Sequence, residues 1–115
     1  MDRDEETRMT EMKPLAYGYM CAPCEVGDHV IYAWERNLRK YAEEHGFEFA
    51  TIFHEFQSGT SEAWDELTTE LQRSDAHHVI VPSLSHVSRH PLLRSSMLDR
   101  LEEDAKAEVV ELSDR

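Results

Sequence analysis

The stretch 77-HHVIVPSLSHVSRHPLL-93 decides how the rest of the chain is read. Its apolar run, His78 to Pro82, is short and bounded by polar residues, which predicts a strand buried on both faces of a parallel sheet. The run spills into a loop carrying Ser83, Ser85, His86, Ser88, Arg89 and His90, and Pro91 is placed to open a helix. Open α/β sheets put their chemistry in polar loops that leave the carboxyl ends of buried strands. The loop from Pro82 to Pro91 is therefore the first candidate site.

Strand and helix signals alternate on both sides of it. Leu15 to Met20 (LAYGYM) is short, aromatic-rich and mostly apolar, a first strand, and CAPCEVG follows as a loop. Behind Asp28, a good N-cap, Val30, Trp34, Leu38 and Tyr41 recur at helical spacing with Ala42 beside them, and Gly46 supplies the stop; the helix should run from about Asp28 to His45. Phe47 to Phe56 (FEFATIFHEF) alternates briefly and is rich in β-formers, a second strand. Gln57 to Ser61 is turn chemistry, with Ser61 or Thr60 capping a helix whose inward side is Ala63, Trp64, Leu67 and Leu71 and which ends at Ser74-Asp75. A third helix from Pro91 shows Leu93, Met97, Leu101 and Ala105 at four-residue spacing, and Ala107 to Leu112 (AEVVEL) is a last short strand.

The order β-α-β-α-β-α-β implies right-handed crossovers and a three-layer α/β/α domain over residues 14–115, with a mostly parallel four-stranded sheet; a five-stranded mixed sheet is the alternative. Residues 1–13, MDRDEETRMTEMK, are charged and unpatterned and read as a disordered acidic leader.

Composition excludes several functions. Twelve Lys and Arg against twenty-four Asp and Glu leave a net charge of −12, the wrong sign for a nucleic-acid surface, which runs on clustered cations. No apolar run approaches the roughly 18 to 20 residues of a membrane span, and the acidic N-terminus lacks the basic start of a signal peptide, so a cytoplasmic protein with no membrane partner is expected. Two cysteines three positions apart make a CxxC, not a secreted disulfide framework.

With the elements placed, the chain resembles the N-terminal catalytic domain of the serine recombinases, the resolvase and invertase family, over about Leu15 to Leu112. Gly18-Tyr19-Met20-Cys21-Ala22-Pro23 lies where that family has its first strand and a Tyr-x-Arg-x-Ser motif. Phe53 to Gly59 (FHEFQSG) resembles the family's strand, acidic residue and Ser-Gly turn. Ser74-Asp75 and the strand after it resemble Gly-Asp-x-x-x-Val, and Leu84 to Arg89 (LSHVSR) lies over Leu-Asp-Arg-Leu-x-Arg.

The resemblance implies the scaffold but not the catalysts. It puts the family's nucleophilic serine on Pro23, its first arginine on Cys21, and the Asp and Arg after the third strand on Ser85 and His86. The arginine after the Ser-Gly turn has no counterpart near Glu62 and Ala63; Arg89, Ser58 and Glu55 remain. Phosphoryl transfer needs a nucleophile and several guanidinium groups to stabilise charge on the phosphate oxygens. A one-residue shift of register would put Ala22 or Cys24 in the serine's place, and a shift of two Cys21. The family domain continues into a long dimerising helix and a helix-turn-helix domain, whereas this sequence ends at Arg115. The expectation is thus a degenerate, non-catalytic recombinase-like domain acting as a binding or regulatory module. Its partners should be proteins, with homodimerisation compatible and DNA binding by this chain alone not expected. Arg89, Ser58, Ser85, His86 and Tyr19 would line an anion-binding cleft, and no cofactor is implied.

Two rival readings come from other chemistry. Cys21 and Cys24 in CAPC, between a strand and a helix, resemble the thioredoxin arrangement, and a thiolate at a helix N-terminus would have a lowered pKa suited to thiol-disulfide exchange. Against this, Pro82 ends a strand where a thioredoxin would have a cis-proline before one. If the recombinase resemblance holds, Cys21 and His86, with Cys24 and His90 nearby, converge as a Cys₂His₂ set that suits zinc and a zinc-stabilised binding domain. The plain alternatives are inert cysteines, Trp34 and Trp64 as core on two helices, Tyr17 and Tyr19 sharing one strand face, and His77-His78 facing opposite sides of a sheet.

Overall fold

The computed structural model describes residues 13–22, 26–57 and 61–112. The elements follow in the order β1 (Leu15–Cys21), α1 (Asp28–Glu44), β2 (Glu48–Glu55), α2 (Glu62–Ser74), β3 (His78–Val81), a 3-10 turn (Leu84–His86), α3 (Pro91–Ala105) and β4 (Glu108–Glu111). The four strands form one sheet in the order β2-β1-β3-β4, and every pairing is parallel. The expected four-stranded α/β/α architecture is therefore present, and among the described residues there is no antiparallel fifth strand. Residues 1–12, most of the expected leader, lie outside the described residues.

Two apolar clusters, one on each face of the sheet, follow from the alternation of β1. Ala16 and Met20 point to one side and pack with Leu38 and Ala42 of α1. Tyr17 and Tyr19 point to the other and pack with Ala63, Trp64, Leu67 and Leu71 of α2 and with Leu101 and Ala105 of α3. That distribution is what right-handed crossovers require: the chain steps from β1 outward to β2, then turns back across β1 to β3 and β4, so the helices change face at the reversal. Gly18 lies on the α1 side, where an added Cβ would sit 3.0 Å from the side chains of Ile52, Leu38 and Phe49. The absence of a side chain lets α1 lie close on the sheet.

The second strand departs from simple alternation. Ala16 pairs with Phe49 and Gly18 with Ile52, so Tyr17 is opposed by two residues, Ala50 and Thr51. This bulge changes the phase of everything after it. Phe47, Phe49 and Ile52 all lean on the α1 cluster, while Phe53 joins the opposite one and Glu55 is aimed under α2.

Three expectations are corrected. Gly27, not Asp28, occupies the N-cap of α1, with Asp28 in the first turn. Ser61 stands at the N-cap of α2 but its side chain makes no capping bond; Glu55 serves that end instead, as described below. Leu93, expected on the inward stripe of α3, is 52% exposed. The helix begins beyond the carboxyl end of the sheet, so its first turn borders a cleft and core packing starts at Met97 and Leu98. No helix among the described residues is long and apolar enough to cross a membrane.

Candidate functional site

A cleft of about 1070 Å³ opens where β1 and β3 end, between α2 on one side and the 3-10 turn and α3 on the other. The strand order reverses between β1 and β3, so the cleft sits at the switch point where parallel sheets bind ligands. Tyr19 and Trp64 form its floor, their rings edge to face with centroids 4.9 Å apart.

Behind this floor, and bonded to it, Glu55 is the buried polar residue among the described residues, 4% exposed. Its carboxylate accepts the Tyr19 hydroxyl at 3.0 Å and the backbone N–H groups of Ala63 at 3.1 Å and Trp64 at 3.4 Å. The first turn of a helix has free N–H groups and a partial positive charge, and a carboxylate eight residues upstream supplies both the acceptor and the counter-charge. Burial, and behind it the Glu55 carboxylate, pushes the Tyr19 phenol far above its ordinary value, so it stays a hydrogen-bond donor.

Cys21 ends β1 on the cleft side. Its N–H donates to Nδ1 of His86 at 3.0 Å, and the imidazole stands edge-on to Trp34 with centroids 4.6 Å apart. A ring that accepts at Nδ1 and is neutral carries its proton on Nε2. Burial and then the nearby Arg89 hold His86 below its ordinary pKa, which keeps it neutral. Burial and then Glu55 push the Cys21 thiol up, with Arg89 opposing.

Of the CxxC pair, only Cys21 lies among the described residues. It is the last residue of β1 rather than the start of a helix, and burial displaces its pKa upward where a reactive thiol needs it lowered. No described peptide bond is cis. For the zinc reading, Cys21 and His86 do meet, but through a backbone bond that occupies Nδ1. His90 lines the same cleft. Among the described residues no group of three or more His, Cys, Asp or Glu is placed to hold a metal. Cys24, Pro23 and Ser58 lie outside the described residues.

Of the other expected residues, Tyr19, Ser85, His86, Ser88 and Arg89 all line the cleft, with Ser85 turned to Ser83 at 2.8 Å. Sequence reasoning missed the wall built by α3: Leu93, Ser96, Met97 and Arg100 border the opening together. Their spacing of three and four residues is a helical face, a signal present in the sequence but read as core. It also missed Trp34 as the partner of His86. His77 and His78 lie outside this cleft, at the β3–β4 edge, where His77 meets the Lys106 carbonyl at 3.0 Å.

The neutrality of His86 has a measurable consequence. As pH falls, the unfolded chain takes up the proton near the ordinary value of 6.5, before the folded protein does. The contribution of His86 to stability is thus complete above that pH and is lost as pH falls through the lower folded-state value. Urea midpoints measured against pH should show a steeper acid decline for the natural chain than for His86→Gln; parallel curves would refute the assignment.

No family model matches the chain, and no curated protein matches its sequence significantly. Solved structures do match. The N-terminal catalytic domain of TP901-1 integrase superposes with a TM-score of 0.70 at 20% identity, covering 85% of this chain and 76% of that one. The C-terminal catalytic domain of ISC1926 TnpA, an IS607-like serine recombinase, superposes with a TM-score of 0.73 at 12% identity, covering 88% and 71%. The fold is that of serine recombinase catalytic domains. In this fold, the cleft bordered by Cys21, His86 and Arg89 stands at the ends of the first and third strands.

Proposed function

We propose that the chain is a non-cleaving recombinase-fold domain that acts as a binding or regulatory module. The observation that carries this reading is the Cys21–His86 contact. By the resemblance, these two positions belong to arginines of a phosphoryl-transfer centre; here one is a thiol pushed toward its neutral form, and the other is a neutral imidazole committed to a backbone N–H. Among the described residues Arg89 is the cation at the strand ends, with Arg100 farther along α3 on the same cleft, and neither stands at the two positions that the resemblance gives to arginines of a phosphoryl-transfer centre. The net charge of −12 opposes a DNA polyanion further. Protein partners, or a second copy, suit the domain better, in the cytoplasm.

The test is a nicking assay on supercoiled plasmid with the full chain. No relaxed product is expected at any protein concentration. Nicking that disappears in Arg89→Ala would overturn the reading, because it would assign cleavage to this cleft.

A further inference from the structure

The cleft has a feature that non-cleavage does not explain: its two guanidinium groups have no acceptors. Among the described residues, neither Arg89 nor Arg100 makes an ion pair or a side-chain hydrogen bond, although the chain carries twice as many acidic as basic residues. Asp104 stands one turn from Arg100 on α3 and also lines the cleft, but the two do not pair. His86 adds a third donor, since the Cys21 N–H on Nδ1 leaves the ring proton on Nε2. Arg89 is close enough to bias both Cys21 and His86, so its charge is directed at the strand ends.

The rest of the lining is divided: α2 contributes a polar side with Asp65, Thr68, Thr69 and Gln72, and apolar side chains stand near the donors. Trp34, Met97 and Leu93 flank the opening above the floor of Tyr19 and Trp64. Leu93 and its neighbour Leu92 are 52% and 88% exposed on the first turn of α3. At about 1070 Å³ the opening is slightly above the roughly 300 to 1,000 Å³ typical of small-molecule sites. Donors beside an apolar patch of Trp34, Leu93 and Met97 select a ligand with one charged end and a flat or oily body, and Asp65 and Asp104 on the same lining oppose more than one negative charge.

We propose that this cleft binds a small organic monoanion, an aromatic or acyl carboxylate. Arg89 and His86 Nε2–H hold the carboxylate, Arg100 reinforces the charge from the rim, and the body lies against Trp34, Leu93 and Met97. The surrounding negative field sets the charge of the ligand. It discriminates against polyanions, which feel the whole −12, and tolerates a single charge that two guanidinium groups neutralise locally. The proposal rests on the reading of the cleft as a binding site, with the ligand class added.

Indole-3-acetate is a suitable probe, with neutral indole-3-acetamide as its near-isosteric control. Titrated into the full chain and followed by amide and indole NMR, the carboxylate should give saturable shifts at the Trp34 indole and at the Cys21 amide. The amide should bind at least tenfold more weakly. Arg89→Ala should weaken the carboxylate by about ten- to a hundredfold, the range for losing a charged hydrogen-bond donor. Arg89 is exposed, so the variant should fold, and Arg36→Ala on the opposite face of the sheet should bind like the natural chain. Equal binding of acid and amide, absence of saturation, or no effect of Arg89→Ala would overturn the proposal. So would inorganic phosphate or a short duplex oligonucleotide binding as tightly as the probe, because the site would then be a phosphate site. Plasmid nicking with probe binding intact would sink the non-cleaving reading and leave this one standing.

Discussion

Replacing Glu55 by alanine is expected to remove about 3 to 5 kcal/mol of folding stability, the largest effect of any single substitution at the site. The carboxylate is 4% exposed and satisfies three donors at once: the Tyr19 hydroxyl and the N–H groups of Ala63 and Trp64. Its removal leaves a buried phenol and the first turn of α2 without acceptors, each at a cost of about 1 to 3 kcal/mol. A cavity adds to that. Because small domains have only about 5 to 15 kcal/mol in total, the variant should be near its limit at room temperature. Glu55→Gln, which keeps one acceptor oxygen but not the charge facing the helix end, should lose about half as much. Chemical denaturation followed by circular dichroism measures both; a loss below about 1 kcal/mol for Glu55→Ala would show that the bonds carry little net energy.

Gly18→Val is the second large effect, at about 2 to 3 kcal/mol, and here two opposing effects must be weighed. A β-branched residue inside a strand should gain roughly 0.5 to 1 kcal/mol over glycine, from the smaller entropy loss on folding. Overpacking works the other way. The Cβ alone would stand 3.0 Å from Ile52 Cγ1, Leu38 Cδ1 and Phe49 Cζ, and valine adds two methyl groups beyond it. Leu38 is fully buried and both Phe49 and Ile52 pack on the α1 cluster, so making room for three added carbons disturbs packed neighbours. Overpacking therefore wins, and α1 must lift from the sheet. Gly18→Ala asks the same three side chains to give only a few tenths of an ångström, and should come out close to neutral. A melting temperature raised by valine would mean that the α1 interface is looser than these distances imply.

The parts of this molecule that repeat were legible in the sequence, and the parts that depend on distant partners were not. The stripe Ala63, Trp64, Leu67, Leu71 located α2 and named its buried face, because four apolar residues at helical spacing leave few alternatives. The strand before Pro82 and the polar loop after it were equally plain, and they located the cleft. The cap of α2 was misread: Ser61 is a good local candidate, but a carboxylate from the neighbouring strand reaches the same N–H groups from inside the core. No local rule finds an acceptor on another element. The Cys21–His86 bond joins residues 65 positions apart. Leu93 and Arg100 were visible as a helical face, yet periodicity does not say whether a face meets core or cleft.

The bulge at Ala50 and Thr51 governs more than where Glu55 points. β2 is an outer strand, eight residues long, and reads EFATIFHE, with no proline, lysine or arginine to discourage a second chain from docking along it. Sequences of that kind are aggregation hazards when they present a flat, regular edge. The extra residue breaks the regular spacing of the ladder half-way along, so an incoming strand could match β2 over only about half its length before falling out of step. One irregularity thus makes β2 a poorer template for a second chain than its composition alone would suggest.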